Sequence, residues 1–209
     1  MNIAHVDELD RIEMPEGFQW RPVRRRFGIR AFGVNAYTTG AAGGQIVEEH
    51  TETQLEHEEI YLVLRGRVRF RIGEDEHELG QGQLVHISDP QLRRGAVALT
   101  DDAAVLAVGG KPGEPYEVSA WEAMFAAVPF AQQEQWDEAI AVHEEALRER
   151  PDHPALLYNL ACMEARGGRH LDALLHLRRA IEVDSKYAAY ARKDSDFAAI
   201  RSEPGFPAA

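Results

Sequence analysis

The side chains in this sequence that are best suited to chemistry are three histidines and a glutamate between residues 50 and 86. His57 and Glu59 are two positions apart in a segment that predicts a β-strand, so both side chains point to the same face. His50 lies just upstream, and His86 lies in another predicted strand. Because converging imidazole and carboxylate groups bind divalent transition metals, all four residues are candidate metal ligands. Each histidine taken singly is better explained as an exposed or hydrogen-bonded side chain.

The elements that would carry these residues are short strands in the first half of the chain. Val68, Phe70 and Ile72 alternate with arginines, which is the period-two pattern of a strand with one buried face. Residues 73–76 predict a turn. Further short strands are predicted at residues 84–88, 96–99 and 104–108. Many short strands with glycine, proline and aspartate between them indicate a sandwich or a barrel.

From Trp121 onward the apolar pattern becomes helical, and two segments repeat each other. Ala139 and Ala173 are 34 residues apart in similar stretches, and this is the period of tetratricopeptide repeats. The same offset relates Ala127 to Ala161, Ile140 to Leu174, Ala146 to Ala180 and Leu147 to Ile181. Gly167 and Gly168 predict the tight turn inside the second hairpin.

Residues 120–186 therefore resemble the tetratricopeptide family, and residues 194–206 resemble the closing helix of such arrays. The resemblance implies two helical hairpins whose concave face binds an extended peptide or a partner helix. Stacked repeats generally need about three units for stability, which is more than two hairpins supply. We therefore expect the helical part to hold a homodimer or to dock on the barrel, with binding of a client protein or peptide as the alternative.

Two segments in the strand-rich half resemble the sequence motifs of the cupin family. Glu59 precedes Gly66 by seven residues, as at the end of the first motif, and residues 80–85 are similar to the start of the second. The resemblance covers residues 34–108 and implies a small jelly-roll-like barrel. It also implies a metal bound by the glutamate and three histidines.

The metal ligands of that family match this sequence poorly. Under either of the family's two spacings, the positions of its first two histidines carry Thr53 and Leu55 or Glu52 and Gln54. The position of the remaining histidine carries Arg93, with Arg94 beside it. A guanidinium stays protonated and is a very poor metal ligand. The usual ligand set of the family is therefore not written in this sequence.

Two interpretations follow, and we favour the second. In the first, an altered site for a divalent transition metal is formed by the four candidate ligands named above. In the second, Arg93 enters the space of the missing histidine and faces Glu59, because a buried carboxylate needs a counter-charge. A pocket of Glu59, Tyr61, Arg93 and Arg94 would then be structural, or would bind a small polar ligand without a catalytic metal.

Composition limits the remaining function classes. The chain has 209 residues and a formal net charge of −12, which disfavours binding to nucleic acid or to an anionic membrane. Cys162 is the only cysteine, so no intrachain disulfide can form and a cytoplasmic protein is expected. The first ten residues lack the pattern of a signal peptide, and no apolar run approaches membrane-spanning length.

The sequence as a whole predicts an α+β multidomain protein, with an all-β cupin barrel followed by an all-α tetratricopeptide array. The predicted parts are an N-terminal extension that could add an edge strand (residues 1–26), the barrel (27–117), two hairpins (118–187), and a capping helix with a tail (188–209). The favoured function is a non-enzymatic ligand-binding or scaffold protein with a degenerate metal site. The alternative is a metal-dependent cupin enzyme, of dioxygenase or isomerase type, with a non-standard ligand set.

Overall fold

The computed structural model describes residues 3–15 and 17–207, which divide into two compact units. The first unit ends at Val118 and the second starts at Ser119. The predicted N-terminal extension also includes Met1, Asn2 and Glu16, and the predicted tail includes residues 208 and 209; these positions lie outside the described residues.

The described part of the first unit contains ten strands in two antiparallel sheets. The strand order of the larger sheet is β1 (Ile12–Glu13), β2 (Gln19–Arg21), β3 (Gly33–Thr38), β10 (Ala104–Gly110), β5 (Glu58–Arg65) and β8 (Leu84–Ile87). The order of the smaller sheet is β4 (Gln45–His50), β9 (Arg94–Ala98), β6 (Arg67–Ile72) and β7 (Asp75–Gly80). A short helix, α1 (Val23–Phe27), precedes β3.

An apolar core lies between the two sheets, because inward-pointing residues of both contribute to it. Val63 of β5 and Val105 of β10 come from the larger sheet, Val68 and Phe70 of β6 come from the smaller one, and each is at most 1% exposed. The rings of Tyr61 and Phe70 lie 5.1 Å apart across the core. The alternation predicted for β6 is confirmed. Val68 and Phe70 are buried in the core, whereas the intervening arginines form ion pairs with acidic residues.

The turn between β5 and β6 needs glycine at position 66 for two separate reasons. Gly66 has a φ of +77°, a conformation that residues with a Cβ rarely adopt. A Cβ at this position would also lie 2.5 Å from the hydroxyl oxygen of Thr100. The glycine that the cupin motif singles out is therefore fixed by local geometry.

β7 is an element that the sequence does not predict. The turn expected at residues 73–76 is shorter than predicted, because Asp75 already pairs with Ile72 across the hairpin. β7 lies at the edge of the smaller sheet, and its exposed acidic side chains lack the apolar alternation of a half-buried strand. Its pairing with β6 is reinforced by ion pairs such as Arg69 with Glu78, at 3.0 Å.

The second unit is helical. Its helices are α2 (Ala120–Gln132), α3 (Trp136–Glu149), α4 (Pro154–Arg166), α5 (His170–Val183) and α6 (Lys186–Ala191). Each helix from α2 to α5 packs against the next helix along the chain, and short loops connect them. Fully buried alanines, 0% exposed, allow the close approach of these helices: Ala139, Ala161, Ala173 and Ala180. Within the described residues, no helix combines the length and the apolar character needed to cross a bilayer.

The turn between α4 and α5 depends on two glycines, as predicted. A Cβ at Gly167 would lie 2.8 Å from the Cβ of Trp136, so the start of α3 leaves no room for a side chain there. Gly168 has a φ of +79°, which reverses the chain after α4.

The prediction of a closing helix over residues 194–206 is wrong. α6 ends at Ala191, and the segment that follows forms a 3₁₀ turn at Ser195–Phe197 and further turns. Asp194 caps that 3₁₀ turn by accepting a hydrogen bond from a backbone N–H, which favours a tight turn over a longer helix. Phe197 and Ile200 are nevertheless fully buried against the helices, so the segment still covers the core of this unit.

Candidate functional site

Five side chains of the first unit form a linked group with Glu59, and we call the six residues the Glu59 cluster: His50, Glu52, His57, Glu59, Tyr61 and Arg94. Glu59 and Tyr61 are two apart in β5 and share the inner face of the larger sheet. His50 ends β4 and pairs across the smaller sheet with Arg94, which begins β9. Glu52 and His57 lie in the loop that joins β4 to β5.

Arg94 is the positive charge inside the cluster, and its side chain is 0% exposed. Its Nε lies 3.5 Å from Oε2 of Glu59. The two terminal nitrogens donate hydrogen bonds to the backbone carbonyls of Pro90, at 3.3 Å, and Asp89, at 3.2 Å. The guanidinium is therefore held by loop carbonyls on one side and by the charge of a carboxylate on the other, although its Nε makes no hydrogen bond.

The prediction that Arg93 faces Glu59 is wrong by one residue. The Arg93 side chain is 62% exposed, and its nearest acidic partner is Glu49, at 3.8 Å. Neighbouring residues of an extended chain point to opposite sides, so a shift of one position exchanges the inner residue for an outer one. Arg94, the other arginine of the predicted pocket, is the residue that lies inside.

Oε2 of Glu59 is the point on which the cluster converges. The Tyr61 hydroxyl donates a hydrogen bond to it at 2.8 Å, and Nε2 of His50 lies 3.6 Å away. Burial disfavours the Glu59 carboxylate, but His50, Tyr61 and Arg94 together outweigh burial and hold its pKa below the ordinary value. Burial and the adjacent carboxylate raise the pKa of Tyr61 well above its ordinary value, so the phenol stays a hydrogen-bond donor.

Glu52 links the two histidines of the cluster. Its Oε1 lies 3.5 Å from Nε2 of His50, and its Oε2 lies 3.3 Å from Nδ1 of His57. Burial opposes protonation of His50, but its pairing with Glu59 and the carbonyl of Glu48 raise its pKa overall. Glu52 is not among the site residues predicted from the sequence, although it occupies one of the positions at which the cupin family places a histidine.

The four histidine and glutamate candidates of the sequence separate into two groups. His50, His57 and Glu59 lie in the cluster, and their side chains are at most 30% exposed. His86 does not join them, because its side chain is 54% exposed and lies 3.4 Å from Glu58 on the outer face of the sheet. Residues of β5 and β8 that pair directly share a face, and His86 pairs with the outward-pointing Ile60.

The residues present fit the metal site of the cupin family only in part. One ligand atom each from His50, Glu52 and Glu59 lies within 4.8 Å of the others, and divalent transition metals accept such a nitrogen and oxygen set. The family's set of three histidines and a glutamate is not reproduced, since His86 lies outside the cluster. A cation bound here would also share Oε2 of Glu59 with the guanidinium of Arg94.

Comparisons with known proteins give structural similarity only. No family model matches the sequence, and no curated protein matches it. KdgF from Halomonas sp. is 16% identical over 55% of this chain and 93% of its own, with a TM-score of 0.43. A sugar phosphate isomerase from a cupin superfamily of Silicibacter pomeroyi is 20% identical over 53% of this chain and 76% of its own, with a TM-score of 0.44. A Cupin 2 conserved barrel domain protein from Salinispora arenicola is 18% identical over 54% of this chain and 90% of its own, with a TM-score of 0.41.

Proposed function

We propose that this protein is a non-enzymatic ligand-binding or scaffold protein whose first unit is a cupin-type barrel with a charge-paired site. The observation that carries the proposal is the fully buried guanidinium of Arg94, with its Nε 3.5 Å from Oε2 of Glu59. A fixed positive charge beside that oxygen repels a metal cation and neutralises the carboxylate without one. The cluster therefore has its own counter-charge, and its role is to hold the barrel together or to bind a small polar ligand.

Metal content is the most direct test of this proposal. The full-length protein, purified without chelators, is expected to contain no stoichiometric transition metal by elemental analysis. Arg94→Met, which removes the competing charge, is expected to raise the affinity for added Zn²⁺, while Arg67→Met on the exposed face of β6 leaves it unchanged. A stoichiometric metal in the unaltered protein that is lost in Glu59→Gln would contradict the charge-paired site.

A second candidate function is a metal-dependent cupin enzyme of dioxygenase or isomerase type. One observation favours it, namely the convergence of His50, Glu52 and Glu59 donor atoms within 4.8 Å. Such a metal would supply Lewis-acid or redox chemistry. This candidate predicts calorimetric binding of Mn²⁺ or Zn²⁺ that Glu52→Gln and Glu59→Gln weaken and that His86→Asn, outside the cluster, does not. Binding that survives both glutamine variants would argue against it.

For the second unit we propose a short tetratricopeptide-like array that mediates contacts between proteins. In support, residues related by the 34-residue offset occupy equivalent environments: Ile140 and Leu174 are 1% and 8% exposed, and Ala139 and Ala173 are both 0% exposed. Leu171 and Leu175, four apart on α5, are 84% and 59% exposed. An exposed apolar pair on one helix face suits a protein partner.

A second copy of the chain is the partner that we expect first, with a client peptide as the alternative. Light scattering of the full chain over a concentration series should report a dimer. The double variant Leu171→Asp with Leu175→Asp should shift it towards monomer, whereas Leu84→Asp, an exposed leucine of the first unit, serves as the matched control. A monomer at all concentrations would exclude the homodimer and leave a client peptide as the partner to be sought.

A further inference from the structure

A segment outside the cluster is fastened to the loop that supplies two of its members. Residues 111–116, which we call the strap, follow β10. Nζ of Lys111 lies 2.7 Å from Oε2 of Glu56, in that loop, and 2.9 Å from Oε1 of Glu114, in the strap itself. At the other end of the strap, the ring of Tyr116 lies 5.9 Å from the ring of His57, with the two planes inclined by 35°.

Tyr116 also reaches the inner face of the larger sheet, in the row that carries Glu59. Gly33, Gly109 and Glu59 are direct partners across β3, β10 and β5, so a side chain at any of them points to the same face. A Cβ at Gly109 would lie 3.0 Å from Cγ of Glu59, so the glutamate covers this glycine. A Cβ at Gly33 would lie 2.8 Å from the Tyr116 hydroxyl, so the tyrosine covers the other.

Because neither glycine carries a side chain, the strip of sheet that they form is covered by Glu59 and Tyr116, and lifting Tyr116 would uncover its Gly33 end. Neighbouring strands are about 4.8 Å apart, so the strip is about 10 Å wide between the backbones of β3 and β5. Oε2 of Glu59 already faces three partners, whereas Oε1 lies 3.7 Å from the Cβ position of Gly109, above the strip. A ligand placed here would meet acceptor oxygens, which suits a small molecule with hydroxyl or ammonium donors.

We propose that Tyr116 is the gate of the Glu59 cluster, and that a ligand enters over the glycine strip only when the strap lifts. This inference rests on the proposed ligand-binding function of the barrel. The closed position is consistent with the low exposure of the residue that Tyr116 contacts, since the His57 side chain is 12% exposed. Glycine at position 33 is required in this closed position, because any larger residue would displace Tyr116.

The ion pair that holds the strap to the loop is weak. The side chains of Lys111 and Glu56 are 35% and 60% exposed, and ion pairs of this type contribute little in water and weaken with salt. Tyr116, whose ring contacts His57, is itself half-buried rather than part of the core. Local opening of such a segment needs far less free energy than unfolding of the barrel. The strap can therefore move while the two sheets stay intact.

The gate can be tested with a chemical probe of histidine access. Diethylpyrocarbonate acylates neutral imidazole, and peptide mapping by mass spectrometry gives a rate for each histidine of the full-length protein at pH 7. His86, whose side chain is 54% exposed, serves as the internal standard. Relative to His86, modification of His57 should rise by about two- to threefold in Lys111→Ala, which loses the ion pair between the strap and the loop, and by about tenfold in Tyr116→Ala, which loses the gate itself.

Matched variants separate the gate from general loosening. Tyr116→Phe keeps the ring and should leave the rate at His57 close to that of the unaltered protein. Arg67→Ala removes an ion pair of the same length, 2.7 Å, on the outer face of the smaller sheet and should change nothing. Added NaCl should raise the rate in the unaltered protein and have no further effect in Lys111→Ala.

The gate is rejected if His57 reacts as fast as His86 in the unaltered protein, or if both Lys111→Ala and Tyr116→Ala leave its relative rate unchanged. The assay uses no ligand and no metal. An unchanged rate therefore rejects the gate alone, and the charge-paired site is judged separately by metal analysis.

Discussion

Substitution of Arg94 by methionine should destabilise the first unit by about 3 kcal/mol. Removing one partner of a buried ion pair costs about 3–5 kcal/mol, because the other charge stays buried without compensation. We expect the lower end of that range, since Glu59 keeps the hydrogen bond from Tyr61, at 2.8 Å, and the neighbouring imidazole of His50. Methionine also retains most of the aliphatic volume of arginine, so the packing contribution to the loss is small.

Native-state hydrogen exchange in the full-length chain isolates this effect from the second unit. Peptides that cover β5 and β10 report the free energy of unfolding of the barrel as urea is added. A double-mutant cycle with Glu59→Gln, which still accepts the Tyr61 hydrogen bond, measures the Arg94–Glu59 coupling itself. We expect the loss of stability in the double variant to be about 2 kcal/mol smaller than the sum of the two single losses.

Two results would refute this argument. A loss below about 1 kcal/mol for Arg94→Met would show that the guanidinium is not the required counter-charge of Glu59. Strictly additive single losses would show that the two side chains act independently. Arg67→Met provides the matched control, because its arginine is 58% exposed and its ion pair with Glu78 should contribute no more than about 1 kcal/mol.

Three further predictions concern other parts of the molecule. Burial raises the pKa of Glu164, and the carboxylate of Glu164, 2.8 Å away, raises that of His176. The folded state therefore binds protons more tightly than the unfolded chain, and stability should fall as pH rises above the ordinary values of 4.5 and 6.5. Thermal unfolding of the second unit should give a lower Tm at pH 8 than at pH 6, a difference that His176→Gln removes; an equal Tm at both values would contradict the pairing. Gly66→Ala should cost about 3 kcal/mol, because it combines positive φ with a clash at 2.5 Å, whereas Gly82→Ala, with a φ of +80° and no atom within 4 Å, should cost about 1 kcal/mol. Tyr61→Phe should cost about 1–2 kcal/mol by the same exchange measurement, because Oε2 of Glu59 loses its nearest hydrogen-bond donor, and no change would show that this bond is dispensable.

The parts of the fold that the sequence predicted correctly are those with a strong local period. The alternation around Phe70 and the glycine turn at Gly167 each report their environment over a few residues, and both are confirmed. β7 and the segment after Asp194 lack such a signal, because β7 has Leu79 as its only large apolar residue and the other segment is buried through isolated aromatic and aliphatic residues. Their structure depends on what they pack against, which no local pattern states.

The sequence predicted which residues form the candidate site better than it predicted how they are arranged. Glu59 and Tyr61 follow from strand position and motif. His57 was predicted on the same strand, but it lies in the loop just before β5, and the choice between Arg93 and Arg94 depends on register. The count from the second motif to Arg93 runs through the connection between β8 and β9, where no periodic pattern fixes which arginine begins the next strand. Tyr116 is more than fifty residues from Glu59 in sequence, and its place over Gly33 depends on a loop rather than on a periodic element.

The central position of β10 has a consequence for how the protein is made. β10 lies between β3 and β5, so the larger sheet stays divided until residue 110 has been synthesised. At about 5–20 residues per second, the ribosome needs about 2–9 s to extend the chain from the end of β5 to the end of β10. During that interval the backbone edge of β5 has no partner on the side that β10 later fills. We therefore expect newly made chains to be more prone to chaperone capture and aggregation before residue 110 emerges than after it, which ribosome-bound chains of defined length would reveal.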